Sequence, residues 1–154
     1  MQVLILGCGD IGTRAGLFLL DRGWRVAAAR RNPDRLPDQF DRHQVNLMDS
    51  ASFAGLNTVV PDYVVVTPTP QSYDPEGYQA GFTGVAKKLA SQKWIARCRR
   101  VIWVSSTRVY SESDGGWVDE HSPLNLDEPQ ASSMIAGEAA IRRAATATII
   151  RPAG

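Results

Sequence analysis

Cysteine and histidine are scarce in this 154-residue chain, with two of each: Cys8 and Cys98, His43 and His121. Two cysteines do not make a disulfide framework, so a reducing, cytoplasmic setting is expected. The histidines stand far apart and no His/Cys spacing matches a metal site. No metal centre is therefore expected, and each histidine reads as a lone surface or loop residue. An excess of charge of one sign is also lacking. Seventeen Lys and Arg face sixteen Asp and Glu, a formal net charge of +1. That balance gives no electrostatic case for nucleic acid or an anionic membrane surface as partner. No apolar run approaches the length of a membrane span. The N-terminus is apolar at once, but it runs into Gly7-Cys8-Gly9-Asp10 and has no basic leader, unlike a secretory signal. Internal repeats and low-complexity tracts are absent. The length suits one domain, residues 1–154, and 44% hydrophobic residues with 21% charged is an ordinary globular balance.

What is present begins at the second residue. Gln2-Val-Leu-Ile-Leu6 is a short apolar run that ends in Gly7-Cys8-Gly9-Asp10-Ile11-Gly12. A buried strand, a glycine turn and the start of a helix form a pyrophosphate site. Gly7 makes the tight turn, Gly9 lets backbone approach a diphosphate, and Gly12 lets the helix pack closely on the strand. The N–H groups of the helix N-terminus then face the anion. A glycine motif alone is weak, but a strand precedes this one and a helix follows it.

Along the chain, strands and helices alternate. Strands are predicted at 2–6, 24–29, 43–46, 62–66, 100–105 and 146–151. Helices are predicted at 11–22 (ended by Gly23), 50–56, 75–96 and 129–144. A polar, proline-containing stretch covers 30–37, and a loop of about twenty residues rich in Ser, Asp and Gly follows the fifth strand. Continuous apolar strands separated by helices imply a parallel sheet buried on both faces. The expected class is α/β: a Rossmann-type doubly wound parallel sheet in three α/β/α layers, with ligands at the carboxyl ends of the strands.

At the end of the second strand, sites for NAD carry an acidic residue that holds the ribose hydroxyls. Here the chain reads Ala28-Ala29-Arg30-Arg31. Two guanidiniums suit an extra phosphate, which favours NADP over NAD and disfavours FAD. The competing reading of Arg30 and Arg31 is a solvated basic loop. Asp49 is a candidate for the adenine amino group and equally for the N-cap of the next helix. Thr67 and Pro68, in Thr67-Pro68-Thr69-Pro70, end the fourth strand beside the expected nicotinamide ribose. Cys8 sits where a helix N-terminus lowers a thiol pKa, or is a small packed turn residue.

The fifth strand ends in Ser105-Ser106-Thr107-Arg108-Val109-Tyr110. With the glycine motif, Trp117-Val118-Asp119-Glu120-His121-Ser122-Pro123 and the final Ile150-Arg151-Pro152-Ala153-Gly154, this string resembles the extended short-chain dehydrogenase/reductase family. These are the NAD(P)-dependent epimerases and dehydratases. The resemblance spans essentially the whole chain, and the hydroxyl string is its most specific part. It implies a small-molecule substrate and maps the catalytic hydroxyl onto Ser106, beside Thr107 and upstream of Tyr110. It also implies a two-fold homodimer through the helices at 75–96 and 129–144.

Two departures accompany it. The family's proton-transferring Tyr and its Lys partner belong on the helix at 129–144. Anchored on Glu138, that helix has Gln130 in place of the Tyr and Met134 in place of the Lys. No tyrosine follows Tyr110 and no lysine follows Lys93. Gln and Met cannot exchange a proton with an alkoxide, so the chain resembles the atypical branch of the family. Members also continue past the Arg-Pro-Ala-Gly strand end into a smaller domain that closes over substrate, a domain expected to be absent here.

Most of the remaining aromatic and charged residues have two readings. Tyr73 and Tyr78 pack or meet a ligand; Trp103 is core; Trp117, Asp119 and Glu120 cover a ligand or are solvated; Arg108 is a candidate for a substrate phosphate. Three functions stay open. One is an NADP-binding oxidoreductase or epimerase acting on a sugar nucleotide or other carbonyl/hydroxyl substrate. Another is a dinucleotide-binding module without turnover, a sensor or subunit. The third is a scaffold with an empty glycine turn.

Overall fold

The computed structural model describes residues 1–153; Gly154, the last residue of the Arg-Pro-Ala-Gly motif, lies outside them. Six strands, β1 (Gln2–Leu6), β2 (Arg25–Arg30), β3 (Asp41–Gln44), β4 (Tyr63–Val66), β5 (Arg100–Val104) and β6 (Ala147–Ile150), form one sheet in the order β3-β2-β1-β4-β5-β6. Every pairing is parallel. The sheet is Rossmann-like, as the alternating pattern implied. The order reverses between β1 and β4, and at such a switch point the crossovers diverge and leave a crevice.

Helix α1 (Asp10–Leu20) packs on one face of the sheet. Gly12 and Gly16 bring it close. A Cβ at Gly12 would stand 2.9 Å from Ile5 Cγ2, and one at Gly16 2.5 Å from Phe40 Cζ. The small Ala27, Ala28 and Ala29 of β2 are fully buried beside β1. On the other face lie the 3₁₀ turn Ser50–Leu56, α2 (Pro75–Tyr78), a π-helical turn (Gln79–Gly84), α3 (Val85–Ala90) and α4 (Pro129–Ala144). They cover the larger core around Phe53, Leu89, Trp103 and Ile141. The outer layers are unequal. The α1-side core gathers Val3, Ile5, Val26, Ala28, Leu36 and Phe40, while Val65, Ile102 and Val104, which alternate with buried neighbours, stay half-exposed.

Several expected boundaries move. Helix α1 starts at Asp10 and ends at Leu20, because the chain turns at Asp21 and Gly23 takes φ +77°. Strand β2 shifts one residue, which makes Arg30 its last member. Strand β3 lies two residues earlier than expected, since its register on Ala27–Arg30 is set by pairing rather than by its own polar sequence. The single long helix predicted at 75–96 is broken. It widens into the π turn and stops at Ala90, and a separate 3₁₀ turn covers Ile95–Arg97. Gly77, Gly81 and Gly84 weaken helical preference there, and Gly81 presses directly against the Thr69 carbonyl. Among the described residues no helix is long and apolar enough to cross a membrane.

Candidate functional site

The glycine turn is locked from two sides. The backbone N–H groups of Gly7 and Cys8 both donate to the Ala29 carbonyl at 3.0 Å. From β4, the Thr67 hydroxyl donates to the Gly7 carbonyl at 2.7 Å. Gly7 takes φ +74°, and a Cβ there would lie 2.6 Å from the Thr67 carbonyl oxygen. Both conditions require glycine. Gly9 is the N-cap of α1 and supplies no side-chain cap. The first-turn N–H groups are therefore left for an anion at the mouth that Gly9 lines. Asp10 and Ile11 are exposed and do not line the cleft; Asp10 lies 3.8 Å from Arg14. Cys8 is fully buried, and burial pushes its thiol up, against weaker opposing effects of the Thr13 hydroxyl and the Arg30 charge. Of the two readings of Cys8, the small packed turn residue fits its burial, and desolvation sets the direction of its shift.

A cleft of about 480 Å³ opens from this turn. It runs over Gly7, Cys8 and Gly9 to Arg30, Arg31, Asn32 and Arg35, with Val45, Leu47 and Met48 as an apolar wall and Thr67, Thr69, Pro70 and Gln71 opposite. Among the described residues no carboxylate lines it. Among the described residues none of its three guanidiniums is in an ion pair. Asp49 is outside the lining and caps the following 3₁₀ turn, its carboxylate accepting from Ala51 N at 3.0 Å. Pro68 is outside too, since the chain presents its neighbours Thr67 and Thr69.

The hydroxyl string is tied into structure. Ser106 caps the 3₁₀ turn Thr107–Val109, its Oγ accepting from Arg108 N at 3.2 Å. Ser105 is buried and its hydroxyl has no partner. Tyr110 is buried, and its hydroxyl accepts from Arg151 Nη1 at 3.1 Å. Arg151 donates twice more to the buried Glu138 of α4, at 3.0 and 2.6 Å. These bonds, those to Glu138 first, hold the Arg151 guanidinium well above its ordinary pKa. Arg108 pairs with Glu128, with one nitrogen at 2.7 Å, and lies 5.3 Å over the Tyr78 ring. It is thus engaged rather than free for a phosphate. Glu128 also accepts from Ala131 N at 2.6 Å as the N-cap of α4. Its carboxyl is held down mainly by the hydrogen bond from Arg108. Thr107, Tyr110, Asp119, Glu120 and Arg151 are among the residues around a second, smaller cavity of about 240 Å³. Tyr73 and Trp117 are exposed, whereas Trp103 is fully buried as expected. Met134 is buried core, and Gln130 is the half-buried second residue of α4.

The fold therefore brings Gly7, Cys8, Gly9, Arg30, Arg31 and Thr67 to one cleft and leaves Ser106 outside its lining. Asn32, Arg35 and the Glu138–Arg151 pair escaped the sequence reading. The first two sat in a stretch read only as polar. The pair is thirteen residues apart across a helix end and a strand, with no local spacing signal.

No family model and no curated protein matches this chain. Solved structures do. A UDP-glucose 4-epimerase superposes with a TM-score of 0.83 at 18% identity, over 98% of this chain and 51% of the other. A short-chain dehydrogenase/reductase superfamily protein from Agrobacterium tumefaciens with bound NAD gives 0.80 at 21%, over 98% and 48%. A protein of the NAD-dependent epimerase/dehydratase type from Methylobacillus flagellatus gives 0.79 at 25%, over 97% and 53%. This chain has the fold of NAD-dependent epimerases/dehydratases and the short-chain dehydrogenase/reductase superfamily, in agreement with the resemblance read from its motifs. It spans about half the length of the solved structures it matches.

Proposed function

We propose that the cleft binds a nicotinamide dinucleotide, with NADP preferred over NAD, as part of an oxidoreductase or epimerase acting on a sugar nucleotide or other carbonyl/hydroxyl substrate. One observation carries the reading. A glycine turn with an uncapped helix N-terminus shares a cleft with Arg30 and Arg31, and no carboxylate lines that cleft. The turn suits the pyrophosphate, and the guanidiniums suit a 2′-phosphate that an acid would repel. Bound NADP would supply hydride chemistry. Gly7, Gly9 and the first turn of α1 would hold it, and Thr67 would fix the turn. Ser106, whose Oγ accepts the capping bond from Arg108 N, would keep its O–H free to donate to the reacting oxygen.

A second reading, a cofactor-binding module without turnover, is supported by Gln130 and Met134, the residues onto which the resemblance maps a proton-transferring Tyr and its Lys. Calorimetric titration with NADPH and NADH tests the shared part. Arg30→Ala with Arg31→Ala should weaken NADPH about 10- to 100-fold and NADH little, the range for charged hydrogen bonds. Equal loss for both means these arginines do not read the phosphate. Oxidation of bound NADPH by any carbonyl substrate favours the enzyme over the module.

A further inference from the structure

We propose that Gly81, inside the π-helical turn, is a positioning residue for the part of the dinucleotide that lies beyond the pyrophosphate. Its missing side chain lets residues 69–72 lie against the helix as the far wall of the cleft. The proposal rests on the dinucleotide reading of that cleft. In the sheet, β2 and β4 flank β1 on opposite sides. Arg30 ends β2, the glycine turn follows β1, and Thr69, Pro70 and Gln71 follow β4 and line the same cleft. A ligand seated by its phosphates over the β1 turn, with one end at Arg30, meets residues 69–71 with its other end.

That wall is held by two glycines four residues apart on the helix. A Cβ at Gly81 would collide with the Thr69 carbonyl oxygen and stand 2.7 Å from Pro70 Cα. A Cβ at Gly77 would collide with the Ser72 backbone. Both obstacles are backbone, which cannot swing aside as a side-chain tip does. Between them the Gln71 N–H donates to the Gly77 carbonyl at 3.1 Å. Asp74 closes the end of the segment, its Oδ1 accepting from Gly77 N at 2.7 Å and from the Ser72 hydroxyl at 2.8 Å. Pro70 fixes its own φ and disfavours a helical turn at Thr69. The helix is π-wound over Gln79–Gly84, where the Gly81 contact falls, a rare form met mostly at functional sites. It is also pinned by α4. A Cβ on Gly137 would stand 3.1 Å from the Phe82 carbonyl oxygen, and the Thr83 hydroxyl donates to the Ser133 carbonyl at 2.7 Å. A methyl at Gly81 is therefore relieved by moving residues 69–71, and the cleft wall moves with them.

The test uses the whole chain and two probes titrated by calorimetry. NADPH carries both halves of the dinucleotide; adenosine 2′,5′-bisphosphate carries the adenosine half alone. Gly81→Ala should weaken NADPH about 10-fold and leave the bisphosphate within about 2-fold. Gly84→Ala, in the same turn but with only ordinary contacts around a Cβ, should change neither. Asp74→Ala frees the end of the segment without adding bulk. It should weaken NADPH about 3-fold and spare the bisphosphate, and Asp74→Asn, which keeps the accepting oxygen, should recover most of that loss. Equal weakening of both probes by Gly81→Ala, or none, overturns the role of Gly81 while leaving the dinucleotide reading intact; should that variant not fold, the same results for Asp74→Ala do so. Failure of the unaltered chain to bind NADPH overturns both.

Discussion

Arg151→Met strands a carboxylate in the interior. Glu138 is 2% exposed and takes both of its charge-assisted hydrogen bonds from Arg151, whose side chain is 10% exposed. Removing the guanidinium also leaves the buried Tyr110 hydroxyl without its donor. Breaking one partner of a buried pair costs about 3–5 kcal/mol, chiefly the uncompensated charge. That is a large share of the roughly 5–15 kcal/mol that holds a domain folded. For a chain of this size each kcal/mol moves Tm by about 2–4 °C, so a fall of about 6–20 °C is expected. Urea unfolding followed by circular dichroism should show a lower midpoint at unchanged slope. Arg151→Lys should lose less, because it keeps the charge but not the two-pronged geometry. Glu138→Leu combined with Arg151→Met should recover much of the loss, since apolar replacement of both partners removes the stranded charge. An unfolding midpoint for Arg151→Met equal to that of the unaltered chain would refute the reasoning. The pair joins α4, the end of β6 and the segment after Ser106, so its loss should also loosen the hydroxyl string.

Two further outcomes follow from local geometry. Gly7→Ala and Gly23→Ala share a positive φ, +74° and +77°, but only Gly7 has an atom, the Thr67 carbonyl oxygen, in the way of a Cβ. Gly23→Ala should cost about 1–2 kcal/mol from backbone strain alone; Gly7→Ala should cost measurably more by thermal denaturation, and equal losses would mean the turn yields freely. The second concerns acid. Arg108 holds the Glu128 carboxyl below its ordinary pKa in the folded chain, so its contribution is present above the unfolded carboxylate pKa and fades as pH falls through the folded one. Glu128→Ala should lower stability by about 1 kcal/mol at neutral pH, as for a lost N-cap, and the deficit should shrink in acid; a deficit that is constant with pH would contradict this.

The sequence by itself determined the class of fold and the glycine turn between β1 and α1. The apolar runs at Gln2–Leu6 and Arg100–Val104, the glycines between β1 and α1, and the Pro129 start of α4 are local signals. Strand burial, a tight turn and a helix start each depend on adjacent residues. Local signals also placed Arg30, Arg31 and Thr67 at strand ends. Tertiary structure decided what those signals leave open. The register of the polar strand β3 came from its neighbour. The break in the helix at 75–90 came with close packing of Gly81 on the Thr69 carbonyl. The Cys8 thiol rose because burial is set by what folds over a residue. Arg35 reached the cleft, and Glu138 found Arg151, by the same route. These groups are distant or unpatterned in sequence, and their proximity exists only once the sheet has brought its strand ends to one edge.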